Sequence, residues 1–192
     1  MIRLYMTHEG TEALGPGIRY AVWTQGCLKR CPGCISPKSR DLDGGYEMDE
    51  LLLAQEILES EASGITISGG EPFLQAEALC SMIREVRKVR DLGVCLYTGN
   101  LMEEISGEWE SQLLELVDVL IDGPYMEELN DGAGLRGSSN QRVFDLTGRY
   151  ASEMHMYGAQ GRKTEIYLSV DGSATIVGIP PVGMQGKVWQ VE

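Results

Sequence analysis

The stretch Ile65-Thr66-Ile67-Ser68-Gly69-Gly70-Glu71-Pro72 runs from a β-branched segment into two glycines, a carboxylate and a proline. The β-branched part predicts a strand, and the glycines and proline predict where that strand ends. A helix is predicted over residues 73–89, where apolar side chains recur at helical spacing at Ala76, Leu79, Ile83 and Val86. A second strand is predicted at residues 94–97. The stretch therefore opens a strand–helix–strand unit.

The same alternation extends to both sides of this unit. Ile18-Arg19-Tyr20-Ala21-Val22-Trp23 predicts an earlier strand, and residues 48–58 predict a helix after it. Further along, residues 113–116 predict a helix and residues 119–121 a strand. Strands that alternate with helices form a parallel sheet with right-handed crossovers. A complete eight-stranded barrel needs about 250 residues, so a chain of 192 residues predicts an α/β fold with a partial barrel or a curved open sheet.

The remaining segments predict a loop and a hairpin. Residues 123–140 are rich in Gly, Asp, Asn and Ser, which is typical of a long loop. Residues 165–170 and 173–177 flank Asp171-Gly172, a turn that favours a β-hairpin. We predict one domain over residues 1–192, with a core of about residues 15–150 and a C-terminal extension of about residues 151–192 that carries the hairpin as an appendage.

Net charge and apolar patterning bear on partners and location. The chain has 29 acidic and 16 basic residues, a net charge of −13. This charge repels phosphate backbones, so we expect no nucleic acid partner. It would attract a basic patch on a protein, although an acidic excess spread along the chain also suits an ordinary solvated surface. The first residues lack the apolar run of a signal peptide, and no stretch reaches the roughly 18 apolar residues of a membrane span. We expect no membrane partner and a cytoplasmic location.

Three of the five cysteines lie within Cys27-Leu28-Lys29-Arg30-Cys31-Pro32-Gly33-Cys34, directly after the first predicted strand. An odd number of cysteines argues against a disulfide framework. Thiolates hold iron–sulfur clusters, and a cubane usually takes four of them. Three thiolates from one loop would leave one iron free for an outside ligand. We therefore predict that Cys27, Cys31 and Cys34 hold a [4Fe–4S] cluster.

The spacing also allows a zinc site, because zinc ligands can lie two to four residues apart. A zinc site would need a fourth ligand, and only His8 or His155 could supply an imidazole. The two remaining cysteines, Cys80 on a predicted helix and Cys95 on a predicted strand, are expected to pack in the core as small apolar side chains.

The glycine pair and carboxylate of the opening stretch suggest a binding role. Gly69 and Gly70 allow a ligand to approach the backbone closely, and Pro72 forces the residue before it into an extended conformation. Glu71 could accept hydrogen bonds from an ammonium group. Taken alone, the same residues could form only a turn.

Two weaker motifs follow the next two predicted strands. They are Tyr97-Thr98-Gly99-Asn100 and Asp122-Gly123-Pro124-Tyr125, and each could be an ordinary turn at a strand end. Because the carboxyl ends of parallel strands meet at one edge of a sheet, we expect the cysteine loop, the Glu71 motif and these two motifs to gather there.

The C-x3-C-x2-C spacing resembles the signature of the radical S-adenosylmethionine (SAM) superfamily. In that family the free iron is chelated by the amino and carboxylate groups of SAM, and the reduced cluster releases a 5′-deoxyadenosyl radical. The resemblance implies a partial (βα) barrel of the radical SAM type, with a [4Fe–4S] cluster and SAM as cofactors. It also implies that Gly69, Gly70 and Glu71 bind the SAM amino group, and that Thr98 and Asp122 lie close to the SAM carboxylate.

Further segments resemble a subgroup of this superfamily. Gly15-Pro16-Gly17-Ile18-Arg19 and Gln25-Gly26-Cys27 resemble the start of the glycyl-radical-enzyme activases. Residues 118–124 and 135–141 resemble the activases of anaerobic ribonucleoside-triphosphate reductase. The resemblance covers residues 15–143 and implies that the deoxyadenosyl radical removes a hydrogen from a glycine of a partner anaerobic ribonucleotide reductase. It also implies an electron donor such as flavodoxin or ferredoxin.

Some residues depart from the activase pattern and leave the substrate open. Leu14 replaces an acidic residue of many activases, and Gly33 leaves no large side chain before the third cysteine. Arg136 and Asn140 are candidates for docking a protein substrate, or they simply pin the long loop. Within enzymes, the alternative is a radical SAM enzyme acting on another protein, a peptide or a small molecule. Outside enzymes, it is a non-catalytic iron–sulfur or zinc module for electron transfer or interaction, which would need no ammonium-binding edge such as Glu71.

Overall fold

The computed structural model describes residues 1–159, 161–168, 170–172 and 174–180. Its main sheet has seven strands in the order β3-β1-β2-β4-β5-β6-β7. The strands are β1 Ile2–Thr11, β2 Arg19–Thr24, β3 Tyr46–Met48, β4 Gly64–Gly69, β5 Gly93–Tyr97, β6 Val119–Asp122 and β7 Arg142–Asp145. The α-helices of the described residues are α1 Glu50–Glu59, α2 Ala76–Arg87 and α3 Glu108–Glu115. None of the described helices is long and apolar enough to cross a membrane.

The middle of the sheet is parallel and its edges are antiparallel. Strands β2, β4, β5 and β6 run in parallel, as their alternation with helices predicts. Strand β1 pairs antiparallel with β2 and with β3, and β7 pairs antiparallel with β6. The predicted partial (βα) barrel of the radical SAM type is therefore wrong, because the described residues form a mixed sheet of seven strands with three α-helices.

The physical reason for this error lies in the edge strands. The segment between β1 and β2 is residues 12–18, which is too short for a helical crossover, so the two strands pair as antiparallel neighbours. In β1 apolar and polar side chains alternate from Ile2 to Thr7, which is the pattern of a half-buried strand rather than of a buried run. Antiparallel strands then occupy both edges where a barrel would have continued with parallel ones.

The two faces of the sheet are covered differently. On one face Ile65, Ile67, Val94 and Leu96 are fully buried in the main hydrophobic core, together with apolar residues of all three helices. The alternate residues point to the other face, where Cys95 packs in a smaller cluster with side chains from the loops that follow β6 and β7. The helices thus pack on one face of the sheet, and loops and the C-terminal segment cover the other.

The predicted hairpin is present and packs on this second face. Its strands β8 Thr164–Leu168 and β9 Ala174–Gly178 pair antiparallel, while residues 169 and 173 lie outside the described residues. Val177 is fully buried against Leu14 and Ala21. The Thr11 hydroxyl donates a 2.6 Å hydrogen bond to Glu165. The hairpin is therefore joined to the sheet by apolar and polar contacts.

Candidate functional site

The cysteine loop begins where β2 ends, and its two ends are tied together. The Gly26 amide donates to the Ser39 carbonyl at 2.8 Å, and the Cys27 amide donates to the Arg40 carbonyl at 3.1 Å. The Gln25 side chain donates to the carbonyl oxygens of Lys38 and Asp41 at 3.1 and 2.6 Å. These bonds close the loop at its base, so the segment with the three cysteines is held at the carboxyl edge of the parallel strands.

One cavity collects most of the predicted site residues. It is lined by seven of them: Cys27, Cys31, Cys34, Gly69, Gly70, Glu71 and Thr98. They come from the loops after β2, β4 and β5, which are adjacent parallel strands. The structure therefore brings three thiols, a glycine pair and a buried carboxylate to one place at the carboxyl edge of the sheet.

The donor set of this cavity fits an iron–sulfur cluster better than a single ion. Among the described residues, no three His, Cys, Asp or Glu side chains are grouped so as to hold one metal ion. Zinc requires every thiolate about 2.3 Å from one point, whereas a cubane takes each thiolate on a different iron. The three thiols that line this cavity could therefore each bind a different iron of a cubane. Neither His8 nor His155, the candidate fourth ligands of a zinc site, lines the cavity.

Two of the three thiols, those of Cys27 and Cys34, hold their protons more firmly than free cysteine does. Burial raises the pKa of Cys27 and also that of Cys34. A cluster binds thiolates, so its assembly must release these protons, and the positive charge of iron supplies the free energy for that step. Iron binding and deprotonation of the loop are therefore coupled.

The glycine pair packs directly on the chain that leads into the cysteine loop. The Gly70 amide donates to the Thr24 carbonyl, and the Glu71 amide donates to the Gly26 carbonyl, both at 2.8 Å. A β-carbon on Gly69 would collide with the Thr24 backbone, and one on Gly70 would collide with the Gly26 carbonyl. Gly69 also has a φ of +107°, which glycine adopts without strain. The two glycines thus hold the start of the cysteine loop against the end of β4.

Replacing Gly70 with alanine is expected to displace the cysteine loop. The new β-carbon meets backbone atoms of Gly26, which cannot rotate away as a side chain would. We expect the free energy of unfolding to fall by about 1–3 kcal/mol and iron incorporation to fall with it, measured by denaturant titration and iron analysis. Gly158→Ala is the matched control, because no atom lies within 4 Å of its β-carbon position. Full iron loading of Gly70→Ala would show that the close packing is dispensable.

Glu71 is a buried carboxylate with a fixed orientation. It is 4% exposed. Its Oε1 accepts hydrogen bonds from the Thr98 hydroxyl at 2.7 Å and the Phe73 amide at 3.2 Å, and its Oε2 accepts one from the Gly99 amide at 2.9 Å. Burial raises the pKa of Glu71, although these hydrogen bonds oppose the shift. A desolvated carboxylate held in this way can bind a cationic group strongly.

Thr98 supports Glu71 from the end of β5. Its hydroxyl donates to Glu71 and accepts a 3.0 Å hydrogen bond from the Asn100 amide. The resemblance implies that Thr98 lies close to the SAM carboxylate. In the structure, the Thr98 hydroxyl is hydrogen-bonded to Glu71. Thr98 therefore orients the Glu71 carboxylate within the cavity wall.

Asp122 does not line the cavity. It lies fully buried at the end of β6, where its carboxylate accepts hydrogen bonds from Arg142 and from the Met102 amide. Arg142 stands directly opposite Asp122 in the β6–β7 pair and also binds Glu103. The neighbouring Gly123 lines the cavity instead. Asp122 therefore fastens the end of β6 to β7.

Arg136 and Asn140 also lie outside the cavity lining. The Arg136 guanidinium pairs with Asp131 at 3.0 Å, and the Asn140 side-chain amide donates to the Pro124 carbonyl at 2.8 Å. Gly137, between them in sequence, lines the cavity. Both side chains thus shape the loop of residues 123–140, which forms one wall of the site.

Arg162 is a support of this loop that the sequence does not predict. Its side chain is 4% exposed and donates to the carbonyls of Arg136 and Gly137 at 2.7 and 3.2 Å and to the Asn130 side chain at 2.8 Å. Nothing in the local sequence marks Arg162, since its partners lie more than 24 residues away and two are backbone atoms. Arg162 joins the C-terminal extension to the wall of the site.

Gln141 and the hairpin complete the wall. The Gln141 side chain accepts from the Gly137 amide at 2.8 Å and donates to the Gly123 carbonyl at 2.9 Å. Gly178 and Ile179, at the end of the hairpin, line the cavity opposite the helices. The predicted appendage therefore contributes to the site, while residues 181–192 of the extension lie outside the described residues.

Sequence comparisons relate this chain to known proteins. The family described as "4Fe-4S single cluster domain" matches residues 13–144, which include the whole cysteine loop. The anaerobic ribonucleoside-triphosphate reductase-activating protein of Vibrio cholerae is 31% identical over 143 residues, which cover 69% of this chain and 91% of that protein. The protein of the same name from Haemophilus influenzae is 31% identical over 149 residues, which cover 72% of this chain and 96% of that protein. The protein of the same name from Enterobacteria phage T4 is 31% identical over 139 residues, which cover 69% of this chain and 87% of that protein.

The family match leaves out the C-terminal extension. The family match ends at residue 144, and Arg162 and the hairpin come after it. Matches of this extent, across the segment that contains Cys27, Cys31 and Cys34, establish the family. The chain carries a 4Fe-4S single cluster domain and belongs to the anaerobic ribonucleoside-triphosphate reductase-activating proteins.

Proposed function

We propose that this chain is a radical SAM activase that generates a glycyl radical on a partner anaerobic ribonucleotide reductase. The observation that carries the proposal is the single cavity in which Cys27, Cys31 and Cys34 face the buried carboxylate of Glu71. A module that only transfers electrons needs the thiols but not the carboxylate. The name shared by the relatives supports the choice of partner.

The chain's own residues divide the work of such a reaction. The three thiolates would hold the cluster, and Glu71 would accept hydrogen bonds from the ammonium of SAM. When bound, a reduced cluster would supply one electron, and SAM would supply the 5′-deoxyadenosyl group that takes a hydrogen atom from a glycine, with methionine released. Trp23, Ile35 and Ile179 line the same cavity, where apolar side chains would keep water from the radical.

The loop of residues 123–140 is the proposed contact for a protein substrate. It walls the cavity at Gly137, so an incoming chain would pass beside it. Arg136 and Asn140 are both partly exposed, and the Arg136 side chain is 25% accessible. The accessible part of the Arg136 guanidinium can donate to a carboxylate or carbonyl oxygen of an incoming segment, and the Asn140 amide can donate or accept. Arg136 and Asn140 are therefore the docking candidates.

The remaining parts of the proposal concern the electron donor and the location. One electron must reach the cluster for each SAM cleaved, and we infer a low-potential donor such as flavodoxin or ferredoxin. Free thiolate ligands require a reducing compartment, which favours the cytoplasm.

A reconstitution assay tests the function. Reduced, cluster-loaded chain, SAM and a candidate anaerobic reductase are expected to give a glycyl radical signal by electron paramagnetic resonance, together with 5′-deoxyadenosine and methionine. Arg136→Ala should lower the radical yield on the reductase but leave SAM cleavage by the chain alone unchanged. Arg84→Ala is the control, because Arg84 is exposed on α2.

The outcomes of this assay separate the alternatives. SAM cleavage without a radical on any anaerobic reductase would favour a radical SAM enzyme with another substrate. A cluster that cleaves no SAM under strong reduction would favour a non-catalytic iron–sulfur module. A parallel loss of both activities in Arg136→Ala would make Arg136 a support of the loop rather than a docking residue.

A further inference from the structure

The cavity contains a single pair of opposite charges. Among the described residues that line it, Glu71 is the one acidic side chain and Lys29 the one basic side chain. The others are cysteines, tyrosines and neutral residues. Lys29 lies on the cluster loop between Cys27 and Cys31, whereas Glu71 follows β4.

The two charged residues meet at one backbone position. The Gly99 amide donates to Glu71 Oε2 at 2.9 Å. On the same glycine, a β-carbon would lie 2.6 Å from Lys29 Cδ, so the aliphatic part of Lys29 crosses Gly99 in van der Waals contact. Any larger residue at position 99 would push the lysine away. The absence of a side chain at Gly99 therefore lets the lysine lie beside the Glu71 carboxylate.

The lysine is close to Glu71 without being paired with it. None of the ion pairs in the described part of the chain involves Lys29. Glu71 is satisfied by two amides and a hydroxyl rather than by a cation. The cavity thus presents a negative group and a positive group side by side, each available to a ligand.

We propose that Lys29 recognises the carboxylate of an α-amino acid group whose ammonium binds the neighbouring Glu71. The proposal deepens the proposed function, on which it rests, because SAM carries such a group on its methionine part. A carboxylate has two oxygens and about four lone-pair sites, so it can bind a lysine and a metal at the same time. Lys29 then selects ligands that retain the carboxylate.

The test compares two ligands on matched variants. Equilibrium dialysis on the cluster-loaded protein measures the dissociation constants of SAM and of decarboxylated SAM, which keeps the amine but lacks the carboxylate. Lys29→Met is expected to weaken SAM binding about ten- to a hundredfold and to leave the affinity for decarboxylated SAM unchanged. Lys29→Arg should restore much of the preference for SAM. Arg30→Met, an exposed change on the same loop, should affect neither ligand.

Each other outcome overturns a definite statement. An equal loss for both ligands in Lys29→Met would mean that Lys29 acts on the charge of the cluster, and the proposal would fail while the proposed function stands. Loss of iron from both Lys29 variants would make the residue a structural part of the loop. Failure of the wild-type protein to bind SAM at all would overturn the proposed function itself and this inference with it.

Discussion

Replacing Cys31 with alanine is expected to reduce the iron held by the anaerobically reconstituted protein from about four atoms per chain to almost none. All three thiols of the cluster loop line the same cavity, and neither His8 nor His155 reaches it to replace a lost ligand. Two thiolates on a loop that is tied only at its base would leave two irons of a cubane without protein ligands. Cys27→Ala and Cys34→Ala should behave in the same way. Iron and sulfide analysis with the visible absorption of the brown cluster measures the effect.

Cys80 and Cys95 provide the controls within the same chain. Both are fully buried, Cys80 on α2 in the main core and Cys95 on β5, 3.3 Å from the Tyr157 hydroxyl. Neither lines the cavity, so Cys80→Ala and Cys95→Ala should keep the full complement of iron. A Cys31→Ala protein that still loads four irons would exclude the assignment of the cluster to this loop.

The sequence predicts the middle of the sheet well because each central strand is a short segment rich in β-branched and other apolar residues, with turn residues at its end. Strands β2, β4, β5 and β6 are buried on both faces, so periodicity and turn residues suffice to find them. The edge strands lack this signal. Strand β7, for example, is four residues long and only partly buried, and its pairing depends on the return of a long loop. The barrel prediction failed for this reason, since it extended a parallel rule to edges that are antiparallel.

The candidate site follows the same division. The cysteines, the glycine pair and Glu71 could be predicted because each motif directly follows a strand, and parallel strands bring their ends together. Asp122 also follows a strand, but Arg142 on the adjacent antiparallel strand binds its carboxylate. No local sequence pattern shows that Arg142 would bind this carboxylate in place of a ligand. Arg162 and Lys29 gain their positions from contacts with backbone atoms distant in sequence, which become visible only in the folded chain.

Replacing Glu71 with glutamine is expected to weaken SAM binding about ten- to a hundredfold while the cluster stays intact. The change keeps the size of the side chain and removes its negative charge, so it removes the charge-assisted hydrogen bond to the ammonium, which is worth roughly 1.5–3 kcal/mol. The new amide nitrogen also loses the hydrogen bond from the Phe73 or the Gly99 amide. Equilibrium dialysis and iron analysis on the same samples separate the two effects. Glu77→Gln, an exposed change on α2, is the control for general loss of charge.

The pH dependence of binding gives a second, independent signature of Glu71. Burial raises the pKa of this carboxyl above its usual range, and a bound ammonium favours its charged form. Affinity is therefore complete above the pKa of the free protein and declines as the pH falls through that value, at a higher pH than for an ordinary glutamate. In Glu71→Gln this decline should disappear, because the amide does not titrate. A wild-type affinity that stays constant with pH, or an unchanged decline in the glutamine variant, would show that another group binds the ammonium.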